Sequence, residues 1–108
     1  MKYFNKSDSE AYSKSKKKNK EIFYQIKKIL THHNKKNLYG TILDVGCADG
    51  NLINFLEKNF INYSFTGIDI SKKLITKCKN SSRKTFIKTD YKKFSKLKKF
   101  DVVIELGI

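Results

Sequence analysis

Thr41-Ile42-Leu43-Asp44-Val45-Gly46-Cys47-Ala48-Asp49-Gly50 is the stretch on which the reading of this chain turns. Ile42, Leu43 and Val45 have the apolar character of a buried strand nearing its end. Gly46 and Gly50 then let the backbone turn tightly with no Cβ in the way. Leu52, Ile53, Phe55 and Leu56 follow at helical spacing, so the turn opens a helix whose first amides face whatever lies above. Strand, glycine turn and helix together form a nucleotide-sized cradle at the carboxyl end of a parallel strand.

The glycine spacing separates two ligand classes. A dinucleotide cradle needs Gly-x-Gly-x-x-Gly, so that a pyrophosphate can approach the backbone. This chain has Asp44-x-Gly46-x-x-x-Gly50, with carboxylates at 44 and 49. Those charges repel a pyrophosphate. They suit a ligand with a cationic or hydroxyl-rich end, such as S-adenosyl-L-methionine, over a nicotinamide dinucleotide.

Four ordered segments then carry a family resemblance. Ile42 to Gly50 resembles the first motif of class I S-adenosylmethionine-dependent methyltransferases, and Phe65-Thr66-Gly67-Ile68-Asp69-Ile70-Ser71 the second. Lys88-Thr89-Asp90-Tyr91 is similar to the third, and Phe100-Asp101-Val102-Val103-Ile104 to their fourth strand. The resemblance implies an α/β, Rossmann-like three-layer sandwich with a parallel sheet ordered 3-2-1-4. It also implies that Asp44, Gly46, Cys47, Ala48, Asp49, Gly50, Asp69, Ile70, Asp90 and Tyr91 hold the cofactor. Gly46 and Gly50 would run against its methionine part. Asp44 would anchor the loop and favour its ammonium group. Asp69 would accept from both ribose hydroxyls, because an ionised carboxylate has two acceptor oxygens. Asp90 would accept from the adenine amino group, with the Tyr91 amide meeting a ring nitrogen. Ala48 stands where the family often carries glycine, and it keeps the loop provided its φ is negative.

Each residue also has an ordinary structural role open to it. Asp69 could precede a helix capped by Ser71. Asp90 could be a turn aspartate, and Asp101 a surface residue at a strand start. No catalytic side chain is marked, and no metal site. His32 and His33 are adjacent and cannot share a helix face. Cys47 and Cys78 lack metal spacing and suit a reducing, cytoplasmic setting.

The chain has 108 residues and a formal charge of +14, with 24 lysines and arginines of which only Arg83 is arginine. Lysine, asparagine and isoleucine rising together is what an AT-rich coding sequence produces. Arginine, which suits bidentate recognition of phosphate and guanine, is nearly missing. Non-specific affinity for polyanions follows from the field alone. A basic nucleic-acid-binding domain is the alternative this charge keeps open. No stretch is long and apolar enough for a membrane span, and Met1-Lys2-Tyr3-Phe4-Asn5 lacks a signal-peptide core.

Organisation follows from periodicity. Residues 1–38 read as a helical extension and 39–108 as a partial cofactor-binding domain. Residues 1–7 read as frayed. Ile22, Phe23, Ile26, Ile29 and Leu30 mark a helix from about Ser9 to Leu30, on which Tyr12 is a candidate cofactor or acceptor contact. Thr31 to Tyr39 reads as loop. Strands are expected over 41–45, 63–68, 85–88 and 100–106, helices over 51–59 and 71–80, and a weak helical turn over 91–97. The family fold continues with three more strands beside the fourth, so Val102-Val103-Ile104 is expected on an open edge. That edge suggests a fragment, an assembly completed by a second chain, or a non-catalytic interaction module. Residues 105–108 lack the Asn/Asp-Pro-Pro-aromatic motif of nucleic-acid amino methyltransferases, which leaves a small molecule or lipid precursor as acceptor.

Overall fold

The computed structural model describes residues 2–4, 16–33, 39–94 and 99–106. The elements run β1 (Lys2–Phe4), α1 (Lys16–His33), β2 (Gly40–Val45), α2 (Asn51–Asn59), β3 (Tyr63–Asp69), α3 (Lys72–Ile75), β4 (Lys84–Lys88), a 3-10 turn (Tyr91–Lys93) and β5 (Val102–Glu105). The five strands form one parallel sheet in the order β1-β5-β2-β3-β4. Within it, β4-β3-β2-β5 is the predicted 3-2-1-4 arrangement.

Handedness fixes the layers. The steps β1 to β2, β2 to β3 and β3 to β4 all move one way across the sheet, so right-handed crossovers put α1, α2 and α3 on one face. The step from β4 to β5 moves back, and its connection crosses the other face. Side-chain alternation agrees. Ile42, Phe65, Val102 and Ile104 join Ile22, Ile26 and Leu30 of α1 and Leu52, Ile53 and Leu56 of α2 in the larger core. Leu43, Val45, Ile68 and Val103 form the smaller core under Tyr91, Phe94 and Phe100.

Several boundaries differ from the sequence expectation. Lys2–Phe4 is a strand, paired Lys2 with Val102 through Phe4 with Ile104, so the edge expected to be open is covered by the amino terminus. Helix α1 continues to His33, with Thr31 Oγ1 donating to the Lys27 carbonyl at 2.7 Å. Helix α3 stops at Ile75 instead of Asn80. Beyond it, Lys77 and Cys78 amides donate to carbonyls three residues back, and Asn80 Oδ1 accepts from the Phe86 amide at 2.8 Å. The chain is thereby drawn off the helix into β4. Tyr12 and residues 107–108 lie outside the described residues.

Candidate cofactor site

The order of strands reverses between β5 and β2, and a cavity of about 300 Å³ opens at the carboxyl ends beside that point. Val45 and Gly46 close it at β2, Ile68, Asp69 and Ile70 at β3, and Thr89, Asp90, Tyr91 and Lys92 after β4. Its volume falls at the lower end of small-ligand pockets.

The loop after β2 is clasped to β3. Gly46 and Cys47 amides both donate to the Ile68 carbonyl, at 2.8 and 3.0 Å, and the Gly50 amide closes the turn on the Cys47 carbonyl at 2.9 Å. Gly46 and Gly50 have φ of 77° and 83°, as a glycine turn requires. Ala48 has φ 51°, so the condition placed on it in the sequence is not met: alanine here occupies a left-handed position. Its amide is nevertheless used, donating to Asp69 Oδ2 at 2.9 Å. Cys47 packs directly over Gly67, where a Cβ would come within 2.8 Å of Cys47 Cβ and Sγ.

Asp69 is the best-defined polar group on the cavity wall. Oδ2 takes the Ala48 amide and Oδ1 the Ser71 amide, each at 2.9 Å, which orients the carboxylate and leaves acceptor capacity on both oxygens. The ordinary role also holds beside it, since Ser71 Oγ caps α3 by accepting from the Leu74 amide. Asp90 likewise does both: Oδ1 accepts from the Lys92 amide at 3.0 Å and starts the 3-10 turn, while the residue lines the cavity. Ile70 is 70% exposed there, an apolar side chain left bare on the cavity wall.

Other predicted site residues sit apart from the cavity wall. Asp49 is exposed and accepts from the Asn51 amide and side chain, a local turn at the start of α2. Asp44 lies under the loop, 4% exposed, with its carboxyl pKa pushed up to about 8 by burial and then by Asp69. Burial, and then Asp44, push the Cys47 thiol far up, which leaves it protonated and unsuited as a nucleophile. Burial also raises the Cys78 thiol, whose Sγ donates to the Ala48 carbonyl at 3.5 Å. Asp101 Oδ2 accepts from the Thr41 amide at 2.8 Å and joins the starts of two strands. The sequence reading missed Val45, Ile68, Thr89 and Lys92, whose only signal was adjacency to named residues. Among the described residues no group of three or more His, Cys, Asp or Glu is placed to hold a metal, and no helix is long and apolar enough to cross a membrane.

A family model described as "Methyltransferase domain" matches residues 42–107. Among solved structures, the plantazolicin methyltransferase BpumL in complex with a pentazolic desmethylPZN analog and SAH aligns at TM-score 0.68 with 25% identity, over 92% of this chain and 39% of that one. The PH0226 protein from Pyrococcus horikoshii OT3 aligns at 0.62 with 27% identity, over 86% and 45%. Coclaurine N-methyltransferase bound to N-methylheliamine and SAH, at 0.59 and 13% identity over 76% and 26%, shares the fold. The chain thus spans less than half the length of each. No curated protein matches the sequence.

Proposed function

Because this chain belongs to the methyltransferase-domain family, we propose that it holds S-adenosyl-L-methionine across the carboxyl ends of β2, β3 and β4 and serves methyl transfer to a small-molecule acceptor. The observation that carries the reading is Asp69: a carboxylate pinned by two backbone amides, on a cavity wall between Gly46 and Asp90. A diol fits a carboxylate with two oxygens available, and a flat purine fits the gap between bare Ile70 and the Asp90–Tyr91 segment. The SAH in the BpumL and coclaurine N-methyltransferase complexes supports the same ligand class.

When bound, the cofactor supplies a sulfonium-activated methyl carbon for in-line displacement. The chain's own residues then serve position and electrostatics more than proton transfer. Gly46 brings backbone to the ligand without a Cβ. Asp69 and Asp90 fix the nucleoside at two points, and the carboxylates around the loop favour a cation above it. The shortage of arginine supports a small molecule over nucleic acid as acceptor, and free Cys47 and Cys78 support a reducing, cytoplasmic setting.

Isothermal titration with S-adenosylhomocysteine tests this. Wild type should bind, and Asp69→Ala should weaken binding by about tenfold or more through two lost charge-assisted hydrogen bonds. A folded wild type that gives no binding, or a mutant that binds equally, would refute it.

A further inference from the structure

Asp44 is the one buried acidic or basic side chain among the described residues, and its carboxyl group has no hydrogen-bond partner among them. Its place explains both facts. On β2 it pairs in register with Gly67 of β3 and Ile104 of β5. Asp69 lies two residues beyond Gly67, on the same face of the sheet. The Cys47 thiol closes over Gly67 from the loop, and Cys78 reaches in from beyond α3, its Sγ 3.5 Å from the Ala48 carbonyl. The polar side chains facing Asp44 are thus one carboxylate and two thiols, while β5 presents apolar Ile104 in register and Ile53 of α2 packs over neighbouring Gly67. An ionised carboxylate here is costly, because it is desolvated and faces a like charge.

We propose that Asp44 is a proton switch for the cofactor: it keeps its proton while the loop is empty and gives it up to solvent when the ammonium of the cofactor's amino-acid end settles above. This rests on the cofactor reading given above. The step breaks the carboxyl O–H bond, sends the proton to water, and leaves a carboxylate opposite the arriving ammonium. Burial and the Asp69 charge hold the carboxyl pKa at about 8 in the ligand-free protein, so most molecules carry this proton at neutral pH. A cation close by reverses that balance, whereas a neutral nucleoside has no means to do so. Affinity for the cofactor therefore becomes a function of pH, set by a residue beneath the cavity wall.

Calorimetry of the intact chain with S-adenosylhomocysteine, in two buffers of different ionisation enthalpy, counts protons released per ligand bound. At pH 7 the count should approach one, and affinity should rise about tenfold per pH unit up to pH 8 and flatten above it. The Asp44→Asn variant should bind with no corresponding release and no such slope. Wild type should bind 5′-methylthioadenosine, which lacks the ammonium, without release. The Asp44 carboxyl carbon, followed by nuclear magnetic resonance in the wild type, should titrate lower when S-adenosylhomocysteine is present. Binding without proton release, a carboxyl midpoint that does not move, or equal release with 5′-methylthioadenosine would overturn the switch and leave the cofactor reading standing. Failure of both ligands to bind would overturn both.

Discussion

Ala48 holds its backbone at φ 51°, in the left-handed region that costs an L-residue with a Cβ about 1–2 kcal/mol. The loop geometry overrides that cost, because the Ala48 amide must reach Asp69. Ala48→Gly should therefore stabilise the protein by about 0.5–1 kcal/mol, after the extra unfolded-state entropy of glycine is deducted. Urea denaturation would show this as a higher midpoint at unchanged slope. Asp44 gives a second test at this scale. Its folded pKa of about 8 stands above the ordinary 3.8, so the folded state holds more protons between those values. The unfolding free energy should accordingly decline as pH rises through that window. Asp44→Asn should flatten the decline, with a Tm above wild type at pH 8 and close to it at pH 5, read by calorimetry on ligand-free protein. Residue types and spacing made the loop readable, since Gly46 and Gly50 stand where positive φ is needed. The φ of Ala48 was not readable, because it depends on where the Asp69 carboxylate lies across the strand.

At the scale of elements, helix α2 ends in a clamp built from the chain's single arginine. Arg83 Nη1 donates to the Phe60 and Tyr63 carbonyls at 2.9 Å each, and Nη2 donates to the Glu57 carbonyl at 3.1 Å. The guanidinium thus satisfies carbonyls at a helix end and binds α2 to the strand that follows. Lysine cannot reproduce this planar fork. Arg83→Ala should cost about 2 kcal/mol, and Arg83→Lys should recover little of it, measured by chemical denaturation. Strong periodicity predicted β2, α2 and β3 closely, since each carries a continuous apolar stripe or run. It failed at α3, where Leu74, Ile75 and Cys78 fit a helix but Asn80 is claimed by the Phe86 amide. It failed again at Lys2–Phe4, because three residues carry no period. Asp49 shows the same limit within the site: its side chain accepts from the Asn51 amide and side chain, a local bond that motif position alone does not reveal.

Considered as a whole, the molecule is a sheet whose β5 is paired on both sides, by β1 and by β2. Removing residues 1–4 should bare the amides and carbonyls of an apolar strand. Light scattering should then report dimers or larger species, and hydrogen exchange should report faster exchange at Val102 to Ile104. The layer arrangement was readable from the order of motifs and the handedness of crossovers. The edge pairing was not, because it joins residues 100 positions apart, as Lys2 does with Val102. That separation bears on synthesis at the ribosome. β5 fills the slot between β1 and β2, although both flanking strands precede it. At roughly 5–20 residues per second, the nascent chain carries β1 without β5 beside it for about 5–20 s. Through that interval β1 has no neighbour and the apolar stripe of α1 awaits its full partner surface, a natural target for a chaperone.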